Sequence, residues 1–218
     1  MTANFPEPTR IIAVRHGETA WNVATRIQGQ LDIGLNDMGR WQAHRLAMAL
    51  AGETFAAIYT SDLYRAWDTA RVVADATGMP LQPEAGLRER GFGVFEGKTF
   101  DEIAQHWPEQ AVLWRKRVPD FAPEGGESLL DFRVRVLECV NHLAVNHAGE
   151  QILLAAHGGV MDVLYRAATR QEIQAPRTWD LGNAAINRLL WTPDGLSIVG
   201  WSDTRHLDDD ETLDETST

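Results

Sequence analysis

Two short apolar runs in this chain each end in His-Gly. Ile11-Ile12-Ala13-Val14 leads into Arg15-His16-Gly17-Glu18-Thr19, and Ile152-Leu153-Leu154-Ala155-Ala156 leads into His157-Gly158-Gly159. Continuous apolar runs of this length suit strands covered on both faces. A strand that stops at His-Gly puts an imidazole at the carboxyl edge of a sheet, where open α/β sheets bind ligands. Two such strands can bring two histidines together. Arg15 beside the first makes an anion the natural guest, because a guanidinium matches the oxygens of a phosphate or carboxylate.

The remaining patterning fits that sheet. Strands are expected at Arg10–Val14, Ala56–Thr60, Pro80–Gln82, Gln151–Ala156, Ala185–Trp191 and Leu196–Trp201, the last two joined by a turn at Pro193-Asp194-Gly195. Between them the apolar period becomes helical. Ala43, Leu46, Ala47 and Leu50 mark a helix over Asp37–Ala51, and Asp62–Thr77 forms another, closed by Gly78. Phe132, Val136, Cys139, Val140 and Leu143 mark a third over Leu129–Asn146, opened by a capping box of Ser128 and Asp131. A fourth covers Gly159–Ala168. The order implies an α/β fold, a three-layer α/β/α sandwich with a mostly parallel central sheet. Residues 91–126, rich in aromatics and charge, read as a small inserted helical cap in one domain spanning 1–218.

Composition narrows the partners. The net charge of −11 argues against nucleic acid, since phosphate backbones select basic faces. Asp203 to Thr218 holds seven acidic residues and one basic, and so carries −6 of that total. That stretch reads as a solvated, disordered tail. Cys139 is the single cysteine, which excludes an internal disulfide and suits a reducing compartment. The residues before Arg15 are too polar for a signal or membrane segment. The expectation is a cytoplasmic protein without membrane association. A homodimer through a sheet edge stays open.

Each chemistry-bearing position admits a plain alternative. His16, placed between Arg15 and Gly17, suits nucleophilic attack on phosphorus through a neutral imidazole, yet a lone histidine is more often structural. Arg15 could instead pair with Glu18. His157 could be a satisfied core histidine, or a donor to a transferring phosphoryl group. Arg65, in the first turn of a helix, opposes the helix dipole; a bound anion would resolve that, and so would an acidic partner. Glu89, flanked by Arg88 and Arg90, is either an ion-pair member or an acid for a leaving oxygen. Asn22 could donate to a phosphate oxygen, while Trp21 reads as packing. No His or Cys pair sits at zinc-ligand spacing around either histidine, and two imidazoles with two guanidiniums can stabilise phosphoryl charge without a metal or organic cofactor.

Taken in order, these residues resemble the histidine phosphatase superfamily, the phosphoglycerate-mutase-like group. The matching positions are Arg15-His16-Gly17-Glu18-Thr19 with Trp21-Asn22, Gln28-Gly29, Asp32 to Leu35, Ser61 to Ala66 with Thr69-Ala70, and Leu87-Arg88-Glu89. They continue through Phe92-Gly93, Glu96-Gly97, Gly125-Gly126-Glu127-Ser128 and Ala156-His157-Gly158. The resemblance implies that His16 is the phosphorylated nucleophile and Glu89 the general acid, then the base for water. It implies that Arg15, Arg65 and His157 bind phosphate with Asn22 assisting, and that Gln28, Gly29 and Gly158 line the substrate site. It implies neither metal nor cofactor, and a small phosphomonoester as substrate.

The group contains both phosphatases and bisphosphoglycerate-dependent mutases. Trp114-Arg115-Lys116-Arg117-Val118-Pro119 partly echoes the mutase insertion, and an acidic tail makes a poor lid over anions. Phe92-Gly93-Val94-Phe95-Glu96-Gly97 and Gly125-Gly126-Glu127-Ser128 look more like the phosphatase branch. A phosphomonoesterase acting through phosphohistidine is the favoured expectation, with phosphoglycerate mutase and a non-catalytic phosphate-binding protein as alternatives. Trp107, Trp114, Arg115, Lys116 and Arg117 are the candidates for choosing the substrate.

Overall fold

The computed structural model describes residues 7–208. In chain order the elements are β1 (Thr9–Arg15), α1 (Ala20–Val23), α2 (Asp37–Leu50), β2 (Ala57–Thr60), α3 (Tyr64–Thr77) and β3 (Leu81–Pro83). These are followed by α4 (Phe100–His106), α5 (Pro108–Arg115), α6 (Leu129–Val145), β4 (Gln151–Ala156), α7 (Gly158–Thr169), β5 (Ile186–Thr192) and β6 (Gly195–Asp203). The strands form one mixed sheet in the order β3-β2-β4-β1-β5-β6. The four on one side run parallel, and β5 joins β1 antiparallel.

Alternation along β1 explains the three layers. Ile11 and Ala13 face one side, packing with Ile152 and Leu154 of β4 against Phe132, Val136 and Val140 of α6 and Val160 and Leu164 of α7. Ile12 and Val14 face the other, packing with Leu153 and Ala155 against Leu46 and Leu50 of α2 and Ala70 and Val73 of α3. Successive strand side chains point to opposite faces, so an unbroken apolar run is what a doubly covered strand requires.

Several boundaries move for identifiable reasons. α3 begins at Tyr64 rather than Asp62, because Leu63 is extended and the Asp62 carboxylate is drawn off to Arg88, 2.6 Å from its Nε. Gly78 closes α3 in the left-handed conformation, as expected. β3 is shifted to Leu81–Pro83 by its register with β2, which pairs Thr60 with Pro83. The Ser128 hydroxyl oxygen accepts from the Asp131 N–H, but the Asp131 carboxylate accepts that same hydroxyl's proton. The expected capping box is therefore a one-sided cap.

The acidic stretch enters the fold further than its charge suggested. Asp203 ends β6, Arg205–Leu207 form a 3₁₀ turn, and Arg45 of α2 donates to the His206 carbonyl at 2.7 Å. Pairing of Asp203 with Ile186 of β5, and the Arg45 bonds to the carbonyls of His206 and Asp208, hold residues that charge alone marked as solvated. The rest of the expected tail, 209–218, lies outside the described residues. Residues 91–126 are clasped at their two ends by an antiparallel bridge between Phe92 and Gly126. Within them Phe95 and Ile103 pack with Trp107, Trp114 and Phe121 in an apolar cluster of their own. Gly93 makes the clasp possible: its φ is +50°, and a Cβ there would fall 2.0 Å from the Glu124 carbonyl oxygen.

Candidate active site

Strand register brings the two histidines together. β1 and β4 are adjacent and parallel, with Arg15 opposite Ala156, so the next residue of each is a histidine at the same edge. The His16 N–H donates to the Ala156 carbonyl at 3.0 Å, and the ring centroids of His16 and His157 lie 5.3 Å apart. β2 adds Ser61 at that edge, its N–H on the Ala155 carbonyl. α7 starts directly after His157, so its free N–H groups open onto the same place.

The hydrogen bonds fix the state of His16. Its Nδ1 lies 2.7 Å from the Gly17 carbonyl oxygen, which can only accept, so Nδ1 carries the proton. Nε2 of the neutral ring then keeps its lone pair. Burial pushes the His16 pKa well below 6.5, reinforced by the positive charges of Arg15 and Arg65. His157 is likewise held well below 6.5, by burial and then by Arg65. Its Nε2 meets the Ser61 hydroxyl at 2.8 Å, and its Nδ1 has no partner.

The two arginines are deeply buried beside them. Arg65 is fully inaccessible; its Nη1 and Nη2 donate to the carbonyls of Leu31 and Gly29 at 2.9 and 2.7 Å. Burial lowers its pKa to about 10. Arg15 donates through Nη1 to the Leu181 carbonyl. Among the described residues no carboxylate takes either arginine by a hydrogen bond, and Glu18 is occupied by Asn36. The Nε of each is buried without a partner. Arg15 Nε, Arg65 Nε and His157 Nδ1 are thus three polar nitrogens beside His16 that have lost water and gained nothing in the protein.

Glu89 approaches from beyond β3. One carboxylate oxygen accepts the Arg90 N–H at 2.8 Å and the other accepts the Gly159 N–H of α7 at 2.9 Å. Neither flanking guanidinium is bonded to it: Arg88 holds Asp62, and Arg90 holds the carbonyls of Glu127 and Phe121. The ion-pair alternative for Glu89 is not what forms. Glycine at 159 leaves room for Glu89 in this position, since a Cβ would lie 2.1 Å from its carboxylate and force it aside.

A cavity of about 370 Å³ collects Arg15, His16, Asn22, Gln28, Gly29, Arg65, Glu89 and Gly158 among its lining residues. His157 stands fully buried behind it. Asn22 accepts the Thr19 N–H through Oδ1, capping α1. Gln28 contributes a buried side-chain oxygen without a partner. Trp21 lies close to Gly97, as packing. Several supports went unread in the sequence. The Leu181 carbonyl holds Arg15, Asn183 donates to the His16 carbonyl at 2.9 Å, and Asp162, Arg166 and Arg177 line the outer cavity. They lie on α7 and in the β4–β5 connection, where no local motif marks them. Among the described residues, no group of three or more His, Cys, Asp or Glu side chains is placed to hold a metal ion. No helix there is long and apolar enough to cross a membrane.

Paired imidazoles, partnerless guanidinium nitrogens and a carboxylate gathered at one sheet edge can hold an anion beside an imidazole whose Nε2 is free. Residues 11–204 match the histidine phosphatase superfamily (branch 1), and the chain belongs to that family. Phosphoglycerate mutase-like protein 4 of Arabidopsis thaliana is 36% identical over 203 residues, 91% of this chain and 87% of that protein. A metal-independent phosphoserine phosphatase of the same plant is 37% identical over 204 residues, covering 92% and 84%. The mycobacterial glucosyl-3-phosphoglycerate phosphatase, solved in complex with VO3, superposes with a TM-score of 0.80 at 32% identity, covering 89% of this chain and all but 1% of that one.

Proposed function

We propose that the chain is a phosphomonoesterase that works through a phosphohistidine at His16. The observation that carries this reading is the set of three buried, partnerless nitrogens beside an imidazole with a free Nε2. In the first step the Nε2 lone pair forms a bond to phosphorus and the ester P–O bond breaks. Glu89 supplies the proton to the leaving oxygen. In the second step water attacks phosphorus, its proton passes to Glu89, and the N–P electron pair returns to Nε2. Arg15 and Arg65, with His157, stabilise the charge on the transferring group in both steps. Asn22, Gln28, Gly29 and Gly158 shape the substrate side. Residues 91–126 act as a cap, bringing Phe92, Trp114 and Arg117 to the cavity.

Two relatives carry phosphatase names and one a mutase-like name, so the two chemistries must be separated by rate. Phosphate release from several monoesters and interconversion of 3- and 2-phosphoglycerate are measured on one preparation, with and without 2,3-bisphosphoglycerate. The phosphatase reading expects release to dominate and to need no bisphosphate. Isomerisation faster than release by more than about tenfold, 1.4 kcal/mol in barrier, would assign the chain to the mutase branch.

A further inference from the structure

Beyond the histidines the cavity continues along α7 to a second group of charges that the phosphoryl chemistry does not use. Asp162 lies about one helical turn past Gly158, roughly 6 Å along the axis at 1.5 Å per residue. One of its carboxylate oxygens accepts from Arg117 Nη2 at 2.8 Å and from Arg166 Nε at 2.9 Å. The other is buried and has no hydrogen-bond partner; Arg177 Nε stands off at 3.7 Å. Arg166 is fully committed, with its remaining nitrogens on the carbonyls of Glu172 and Ala175. Arg117 Nε is on the Ile173 carbonyl. Arg177 lines the cavity with its side chain 47% exposed.

Three guanidiniums thus face one carboxylate, an excess of two positive charges in a partly desolvated pocket. Arg177 is close enough to press down on the ionisation of both Arg15 and Arg117. Its charge is therefore felt at the inner site as well as the outer one. A simple ion pair with Asp162 would close the 3.7 Å gap but leave the excess charge in place. A second anion relieves it.

We propose that Arg177, with Arg117 beside it, is a specificity-determining residue that binds a second negative group of the substrate. On the phosphatase reading above, the substrate class is a short phosphomonoester carrying a carboxylate or a second phosphate on the same small carbon skeleton. Asp162 keeps Arg117 in place, and its partnerless oxygen accepts a hydroxyl from the substrate's carbon skeleton.

Three compounds on one skeleton test this: glycerol 3-phosphate, 3-phosphoglycerate and glycerol 1,3-bisphosphate. The wild-type chain is expected to favour one or both of the last two over the first by about tenfold or more in kcat/KM, the scale of a hydrogen bond to a charged group. Whichever is favoured identifies the second anion as carboxylate or phosphate. Arg177→Gln is expected to erase that preference chiefly through KM, and Arg177→Lys to restore part of it. Equal kcat/KM for all three in the wild type, or an Arg177→Gln loss of the same size on all three, would overturn the subsite. Calorimetric binding of the same compounds to His16→Ala separates the two readings. Preferential binding of a doubly anionic compound there, lost on adding Arg177→Gln, supports the subsite even if no ester is hydrolysed, a result that would remove only the phosphatase reading. No preference in binding would overturn the subsite whatever the hydrolysis shows.

Discussion

A single hydrogen bond sets the chemistry of His16. The Gly17 carbonyl fixes the proton on Nδ1, and burial beside two guanidiniums keeps the ring neutral. Glu89 is held as firmly, by two backbone N–H groups that leave its carboxyl group at the cavity wall. Glu89→Gln preserves shape and removes the proton. It is expected to slow turnover by about 10²–10⁴-fold, the usual worth of a positioned acid or base. Esters with strongly acidic leaving groups, such as p-nitrophenyl phosphate, should lose much less in the first step, a difference that burst kinetics will resolve. Equal slowing of the burst for every leaving group would leave Glu89 a positioning role only. At this scale the sequence was informative for residues that sit in local motifs: His16, His157, Arg15, Arg65, Asn22, Gln28, Gly29, Gly158 and Glu89 all come to one site. It was silent on Ser61 as the partner of His157, on the Leu181 carbonyl and on Asn183, because each contact joins positions far apart in the chain.

At the scale of elements, the site follows from register and from one close approach. The pairing of Arg15 with Ala156 across β1 and β4 places both histidines at the same edge. Packing of α7 against Glu89 depends on Gly159, where a Cβ would meet the carboxylate at 2.1 Å and Phe132 at 3.1 Å. Gly159→Ala is expected to displace Glu89 and so to reproduce most of the Glu89→Gln loss. It should also cost about 1–3 kcal/mol of stability, the range for overpacking. Steady-state rates and a denaturation curve on the variant check both halves. Full activity would mean that Glu89 has room that the geometry denies it. The six strands and four long helices were legible because apolar period 2, apolar period 3.6 and unbroken apolar runs each leave a distinct trace. The β6 extension to Asp203 and the following turn were not, because strand pairing there offsets a composition that reads as solvated. The late start of α3 was hidden for a similar reason, since Asp62 is claimed by Arg88 from another part of the chain.

At the scale of the whole molecule, two buried neutral histidines tie folding stability to pH. Both are held well below 6.5 in the folded chain, by burial and neighbouring positive charge. Below about pH 6.5 the unfolded chain binds protons that the folded chain refuses. Stability from this source is complete above pH 6.5 and falls as pH drops, by at most about 1.4 kcal/mol per pH unit for each histidine. Carboxylates titrate lower in that range, so the comparison is with His16→Gln, which should fall less steeply between pH 6.5 and 5. Urea denaturation at several pH values measures it. Identical slopes for the two proteins would mean that His16 takes up a proton in the folded state. A bound phosphate should flatten the wild-type slope as well, because an anion among Arg15, Arg65 and the imidazoles favours their charged forms.

The phosphohistidine is the central step of the proposed reaction, and one measurement reaches it directly. The enzyme is mixed with a phosphomonoester, quenched within the first turnover, digested under alkaline conditions and mapped by mass spectrometry. Phosphate is expected on the peptide containing His16, stable to base and lost in acid, and absent from His16→Ala. Phosphate on Ser61 or Asp62 instead, or turnover by His16→Ala at the wild-type rate, would contradict the account.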